Sequence, residues 1–171
     1  MICPTCAYDN LPGSEECRRC HTPLTQLDLP TPHDRVERTL MEDPVRVLQP
    51  RPAVTVPPTA SVRQAVEVML ARDIGAVLVV DDDGRLLGIF SERDLLTKVV
   101  GEPGAGPNLP VSQFMTPDPE TVTADDTLAF ALRAMDLGGY RHLPVVHNGL
   151  PVGVISVRDM LRHITRLCKD R

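Results

Sequence analysis

The sequence predicts an α+β chain built as two β-α-β-β-α repeats related by pseudo-twofold symmetry, with a small four-cysteine unit ahead of them. Two observations carry this. The stretch Gly-Ile-Phe-Ser-Glu-Arg-Asp, Gly88 to Asp94, recurs 65 residues later as Gly-Val-Ile-Ser-Val-Arg-Asp, Gly153 to Asp159, with Gly, Ser, Arg and Asp kept in place. Self-similarity over a fixed interval marks a duplicated supersecondary element. In addition, four of the five cysteines lie in the first 20 residues as two Cys-x-x-Cys pairs.

Taken in order, the cysteines are Cys3, Cys6, Cys17 and Cys20, with ten residues between the pairs. Each Cys-x-x-Cys can form a tight knuckle that delivers two thiolates, and zinc favours four in a tetrahedron. Disulfides would instead need an oxidising compartment. No leader speaks for one: Met1-Ile2-Cys3-Pro4 opens without a basic region and a long apolar core, so a cytoplasmic location is expected. A closed four-thiolate site keeps no open coordination position and is therefore read as structural. The segment resembles the short zinc ribbons at the ends of many prokaryotic proteins, with Asn10 and Gly13 placed as in their Asn-x-x-Gly turn. It departs from them at Ala7 and His21, which stand where such ribbons often carry Gly, so strain or a different turn is expected at the second knuckle. His21 is read as a surface residue. Asp9, Glu15 and Glu16 offset Arg18 and Arg19, and four bound thiolates leave the site negative, which favours a protein partner over nucleic acid.

The ribbon is placed at residues 1–25 and a tether at 26–43. Pro23, Pro30, Pro32 and Pro44 bracket a short helix expected from His33 to Met41. The first repeat is placed at 44–101 and the second at 111–171. Thr55-Val56 matches Thr121-Val122, Met69 matches Met135, and Val79-Val80 matches Val145-Val146. In the first repeat, Val62, Ala65, Val66, Met69 and Leu70 form a helical stripe, with Ser61 and Gln64 as its cap. Leu128, Ala131, Leu132 and Met135 repeat the stripe, ending at Gly138-Gly139. Both stripes are read as core. Strands follow at Ala76–Val80 with Leu86–Phe90, and at Leu143–Val146 with Val152–Ile155. The last helix carries a core stripe of Met160, Leu161, Ile164 and Leu167 against a solvated row of Arg158, Arg162, Arg166 and Lys169. Cys168 is read as partly buried. The linker 102–110 overlaps a Gly-x-Gly, but prolines and the missing Lys-Ser/Thr ending exclude a phosphate loop.

At 171 residues and 42% hydrophobic composition, the chain can bury one good core plus an appendage. A net charge of −5 argues against general nucleic-acid or anionic-membrane binding. No apolar stretch is long enough to span a bilayer.

Both copies of Ser-x-x-Asp fall at a strand-to-helix junction, and two readings stand side by side. As capping boxes, Ser91 with Asp94 and Ser156 with Asp159 satisfy orphan amides of their own helices. As binding groups, they sit where helix-terminal donors hold phosphates and hydroxyls.

Gly-x-x-Ser-x-x-Asp in both copies, Thr-Val ahead of each first helix and Leu-Pro-Val-Val in the second make the repeats resemble CBS domains, together a CBS pair or Bateman module, over roughly residues 44 to 168. The resemblance implies two clefts between packed sheets, holding an adenine nucleotide (AMP, ADP or ATP) or S-adenosylmethionine. Asp94 and Asp159 would meet ribose hydroxyls, Ser91 and Ser156 would lie near phosphate, and the Thr55-Val56 and Thr121-Val122 backbones beside the base. Arg141 and His142 match the uncharged Gly75 and Ala76, so the Asp159 cleft is expected to be the better anion site, with Arg158 as a further phosphate contact. The resemblance also implies a homodimer and a regulatory role. No catalytic constellation emerges, so no enzyme is expected. The rival readings are a scaffold whose clefts hold nothing and a ribbon-led adaptor to protein or RNA.

Overall fold

The computed structural model describes residues 3, 6–11, 14–24 and 34–169. The chain divides into two compact units, Met1–Asp34 and Arg35–Arg171.

In the first unit, the two knuckles share one backbone pattern. Ala7 N donates to Cys3 O and His21 N to Cys17 O, both at 2.9 Å, while Cys3 N and Cys17 N reach across to Tyr8 O and Thr22 O. Closing these turns puts Ala7 at φ 56° and His21 at φ 57°, the left-handed region that glycine occupies without steric cost. The departure from glycine thus strains both knuckles, not the second alone. Replacing Ala7→Gly or His21→Gly is expected to stabilise this unit by about 1 kcal/mol each, read as a raised metal-release midpoint under chelator titration. Cys3, Cys17 and Leu24 form its small core. Gly13, and with it the expected Asn-x-x-Gly turn, lies outside the described residues.

The second unit opens with helix α1 (Arg35–Glu42) and a 3₁₀ turn (Val45–Leu48), then β1 (Arg51–Pro52), β2 (Thr55–Val56), α2 (Val62–Arg72), β3 (Ala76–Val80) and β4 (Leu86–Ser91). Helix α3 (Glu92–Asp94) runs into a π-helical turn, Leu95–Val99. After a second 3₁₀ turn (Val111–Gln113) come β5 (Thr116–Pro117), α4 (Leu128–Gly138), β6 (His142–His147), β7 (Leu150–Ser156) and α5 (Val157–Lys169). Helix α1 starts two residues later than expected. His33 lies outside the described residues. The caps follow the sequence: Gln64 N donates to Ser61 Oγ and Ser61 N to Gln64 Oε1, and Gly139 closes α4 at φ 62°.

Each repeat lends its leading segment to the other. One sheet runs β2-β3-β4-β5 and the other β1-β7-β6. Strand β1 pairs antiparallel with β7 (Arg51 opposite Val154), and β5 pairs antiparallel with β4 (Thr116 opposite Ile89). The cores show the same exchange. Val111 and Phe114 complete the core of Val56, Ala65, Met69, Val77 and Phe90. Val45 completes that of Val122, Leu128, Leu143, Ile155 and Met160. Burying a valine contributes about 1.5–3 kcal/mol. Val45→Ala is therefore expected to cost about 2 kcal/mol in urea unfolding and to speed amide exchange in the second repeat, in whose core it sits, before the first.

Three apolar residues depart from the expected stripes. Leu70 is 77% exposed and Leu161 59%, while Leu132 is 37% exposed. Leu70 lies eight residues from Val62 and Leu161 one from buried Met160. Turns of 100° per residue carry both to the flank of the stripe. Cys168 is exposed, not partly buried. Among the described residues, no helix is long and apolar enough to cross a membrane.

Candidate functional site

Pairing of β6 with β7 sets His142 opposite Ser156, so the start of one strand, the end of the other and the first turn of α5 share one end of the sheet. Arg141, His142, Ser156, Arg158 and Asp159 meet there around a cavity of about 370 Å³, within the range of small-molecule sites. Its opposite wall comes from the first repeat. Val66, Met69 and Leu70 of α2, expected as core, line it together with Ile74, Gly75 and Glu92. Arg51, Pro52 and Val54 line it where the chain crosses from one sheet to the other. Thr55-Val56 and Thr121-Val122, expected beside a base, are not among its lining residues. Val56 and Val122 face the two cores instead, and Val54 takes the lining position.

Both Ser-x-x-Asp motifs form capping boxes. Ser156 N and Oγ donate to Asp159 Oδ2 at 2.9 and 2.6 Å, and Ser91 does the same to Asp94 Oδ2 at the same two distances. The other carboxylate oxygen distinguishes the copies. Asp94 Oδ1 takes the Lys98 ammonium at 2.7 Å and the Thr116 hydroxyl at 3.2 Å. Burial pushes the Asp94 carboxyl up, but Lys98 and the Ser91 donors outweigh it and hold the group below its ordinary range. Asp159 Oδ1 has Arg162 at 3.3 Å, and that arginine is half exposed. The repeat interval of 65 places His163 where Lys98 stands, and strand pairing places Arg51 where Thr116 stands. Both carboxylates thus meet a cation from their own helix, but Asp94 is closed in by Lys98 and Thr116, whereas Asp159 keeps a longer contact and lines the cavity.

The uncharged Gly75 makes room for this asymmetry. A Cβ there would stand 3.0 Å from His142 Nε2 and 3.3 Å from Glu92 Oε2. Burial pushes His142 below its ordinary value; Glu92 and Asp159 pull it up, while Arg141 and Arg158 reinforce the depression. A depressed histidine is neutral in the folded state, so the unfolded chain binds more protons below its own pKa of about 6.5. Stability contributed by neutral His142 is present above that pH and declines as pH falls through it. His142→Gln should flatten the loss between pH 7 and 5, read from urea midpoints.

The four cysteine Sγ atoms lie within 4.8 Å of one another, with Cys3–Cys20 and Cys6–Cys17 at 3.6 Å. A tetrahedron with metal–sulfur bonds of about 2.3 Å has edges of roughly 3.8 Å, so the donor set fits a four-thiolate metal ion. Buried Asn10 donates to Tyr8 O and Cys17 Sγ and accepts from Arg18 N, and Arg19 N donates to Cys17 Sγ at 3.4 Å. Burial resists ionisation of Cys17, but the amides of Cys20 and Arg19 and the Asn10 side chain lower it to about 6. His21 lies outside the cluster, at the surface beside Glu16.

The family model of the CBS domain matches residues 40–101 and 111–166, two copies that span most of the chain. The chain belongs to the CBS-domain family. A CBS domain-containing protein of Arabidopsis thaliana is 37% identical over 109 residues, which are 64% of this chain and 20% of that protein. The chain therefore spans about a fifth of the length of this plant relative. Among solved structures, a CBS-domain containing protein from Agrobacterium tumefaciens is 37% identical with a TM-score of 0.64, covering 73% of this chain and 98% of that one. A CBS domain protein from Pyrobaculum aerophilum, solved in complex with AMP, is 28% identical with a TM-score of 0.65, covering 75% of this chain and 99% of that one. The two matches bracket residues 102–110, and residues 1–39, cysteine cluster included, lie ahead of the CBS pair.

Proposed function

We propose that this CBS pair is a non-catalytic regulatory module that binds an adenine nucleotide in the Asp159 cavity and signals its occupancy to a protein partner. The observation that carries the reading is the convergence, in one cavity, of a carboxylate suited to ribose hydroxyls, cationic Arg141 and Arg158, and the apolar surface of Val54, Met69 and Ile74 for a base. AMP in the Pyrobaculum relative supports the same ligand class. Ser156 belongs to the phosphate end and Arg158 to the charge that holds it; S-adenosylmethionine is the competing ligand. In the other repeat, Ser91 and Asp94 are the matching positions, which Lys98 closes to a ligand.

Zinc is the metal proposed for Cys3, Cys6, Cys17 and Cys20, as a structural ion that shapes a surface for the protein partner. A cytoplasmic homodimer completes the reading. The second reading, a scaffold that binds no nucleotide, draws on the capping boxes present in both repeats. Calorimetric titration of the zinc-loaded protein with AMP, ADP, ATP and S-adenosylmethionine separates them. Saturable binding to one of these supports sensing; folded protein that gives no heat with any of them supports the scaffold.

A further inference from the structure

The chain that crosses between the two sheets also forms one wall of the cavity, and it is continuous with the segment that leads back to the cysteine unit. Upstream of the crossing, residues 40–48 are fastened to the second repeat: Leu40, Val45 and Leu48 pack on its core. Val45 N donates to Asp126 O at 2.7 Å, Arg46 N to Ala124 O at 3.0 Å, and Leu128 N returns a bond to Asp43 O. Downstream, Val54 O accepts from Leu78 N of the first repeat. Between these anchors lies β1, two exposed residues seated so closely on β7 that a Cβ on Gly153 would stand 3.0 Å from Arg51 O. Arg51 lines the cavity, and its guanidinium donates to Asp73 O at 3.1 Å, a neutral backbone acceptor at the end of α2.

We propose that Arg51 is a further anion-contact residue of the cavity, and that its transfer from the Asp73 carbonyl to a bound phosphate clamps the leading segment, residues 35–54, onto the second repeat. A phosphate offers the guanidinium an opposite charge and two parallel acceptors where the Asp73 carbonyl offers one neutral oxygen, so the exchange favours the anion. A phosphate gripped by Arg51 on one side and by Arg141 or Arg158 on the other ties β1 to β6 and α5, and occupancy then reaches α1, which contacts both α4 and α5. The clamp rests on the nucleotide reading above and extends it by naming the segment that occupancy tightens.

The test is hydrogen exchange of the full zinc-loaded chain with and without saturating AMP, beside calorimetry on wild type and Arg51→Gln. AMP is expected to slow exchange at residues 45–53 and at 156–160 in the wild type. Arg51→Gln should bind AMP about tenfold more weakly; at saturation it should keep the slowing at 156–160 and lose it at 45–53. Slowing at 156–160 without any at 45–53 in the wild type, or a variant that matches wild type in both affinity and exchange, overturns the clamp and leaves the nucleotide reading standing. Failure of folded wild type to bind AMP, ADP, ATP or S-adenosylmethionine overturns both.

Discussion

Asp159→Ala is expected to abolish nucleotide binding while leaving the module folded, at a stability cost of about 1 kcal/mol for the lost cap. Asp94→Ala should do the reverse. Its carboxylate is buried with Lys98 and Thr116 and opens onto no cavity that the ligand shares. Removing it strands an ammonium whose side chain is 40% exposed, so screening reduces the penalty to about 2 kcal/mol. Binding stoichiometry should stay at one per chain. The measurements are calorimetric affinity and urea unfolding on both variants. Two ligands per chain in the wild type, or equal loss of binding in both variants, would show that Lys98 does not close the first cleft.

Removing the metal proposed for the cysteine unit is expected to have the larger energetic effect. Apparent binding free energies for four-ligand structural zinc are about 10–16 kcal/mol at neutral pH. A core of Cys3, Cys17 and Leu24 cannot supply that from burial, because fully burying one leucine contributes only about 1.5–3 kcal/mol. Chelation is therefore expected to unfold residues 1–24 while the thermal transition of residues 35–171 stays where it was. Cys17→Ser should reproduce the loss without chelator, since Cys17 is the thiol that Asn10 and the Arg19 amide hold as a thiolate. Metal content per chain and circular dichroism below and above the transition of the larger unit would read it. A first unit that keeps its exchange protection without metal would refute a structural role for the ion.

Much of the fold was legible because its signals are local. Ala76–Val80 is bounded in the sequence by a helix end and an Asp-rich turn, and the structure begins and ends β3 at those residues. Ser61 with Gln64 announced a cap that forms as written. The charge difference between the repeats was visible, since Gly75 and Ala76 against Arg141 and His142 can be read from the sequence, and all four line the one cavity. What stayed hidden depends on pairing at long range. Nothing near Arg51 says that it will lie beside Val154 rather than beside its own repeat's strands, so Arg51, Val54 and Glu92 could not be placed at the cavity from spacing. The signal that could have found Arg51 is the symmetry itself: whatever precedes the second repeat and joins the first must have a counterpart ahead of the first. Leu70 was misplaced for a simpler reason. A stripe read over eight residues drifts by 80°, and its last member had turned from the core towards the cavity.

The exchange of leading segments also bears on how such a chain came to be and how it must fold. A lone repeat would have exposed the edge that β1 or β5 now covers, and could have finished its sheet only by borrowing that strand from a second molecule. Fusing two copies turns a step that depends on concentration into one set by tethering, and frees each copy to change without keeping the self-complementarity of a symmetric pair. One copy could then spend its position on Gly75 and the other on Arg141. The cost is kinetic. Arg51 cannot pair with Val154 until the second repeat has been made and the loop of about a hundred residues between them closed, so this docking is expected to be slow and to follow formation of both hairpins.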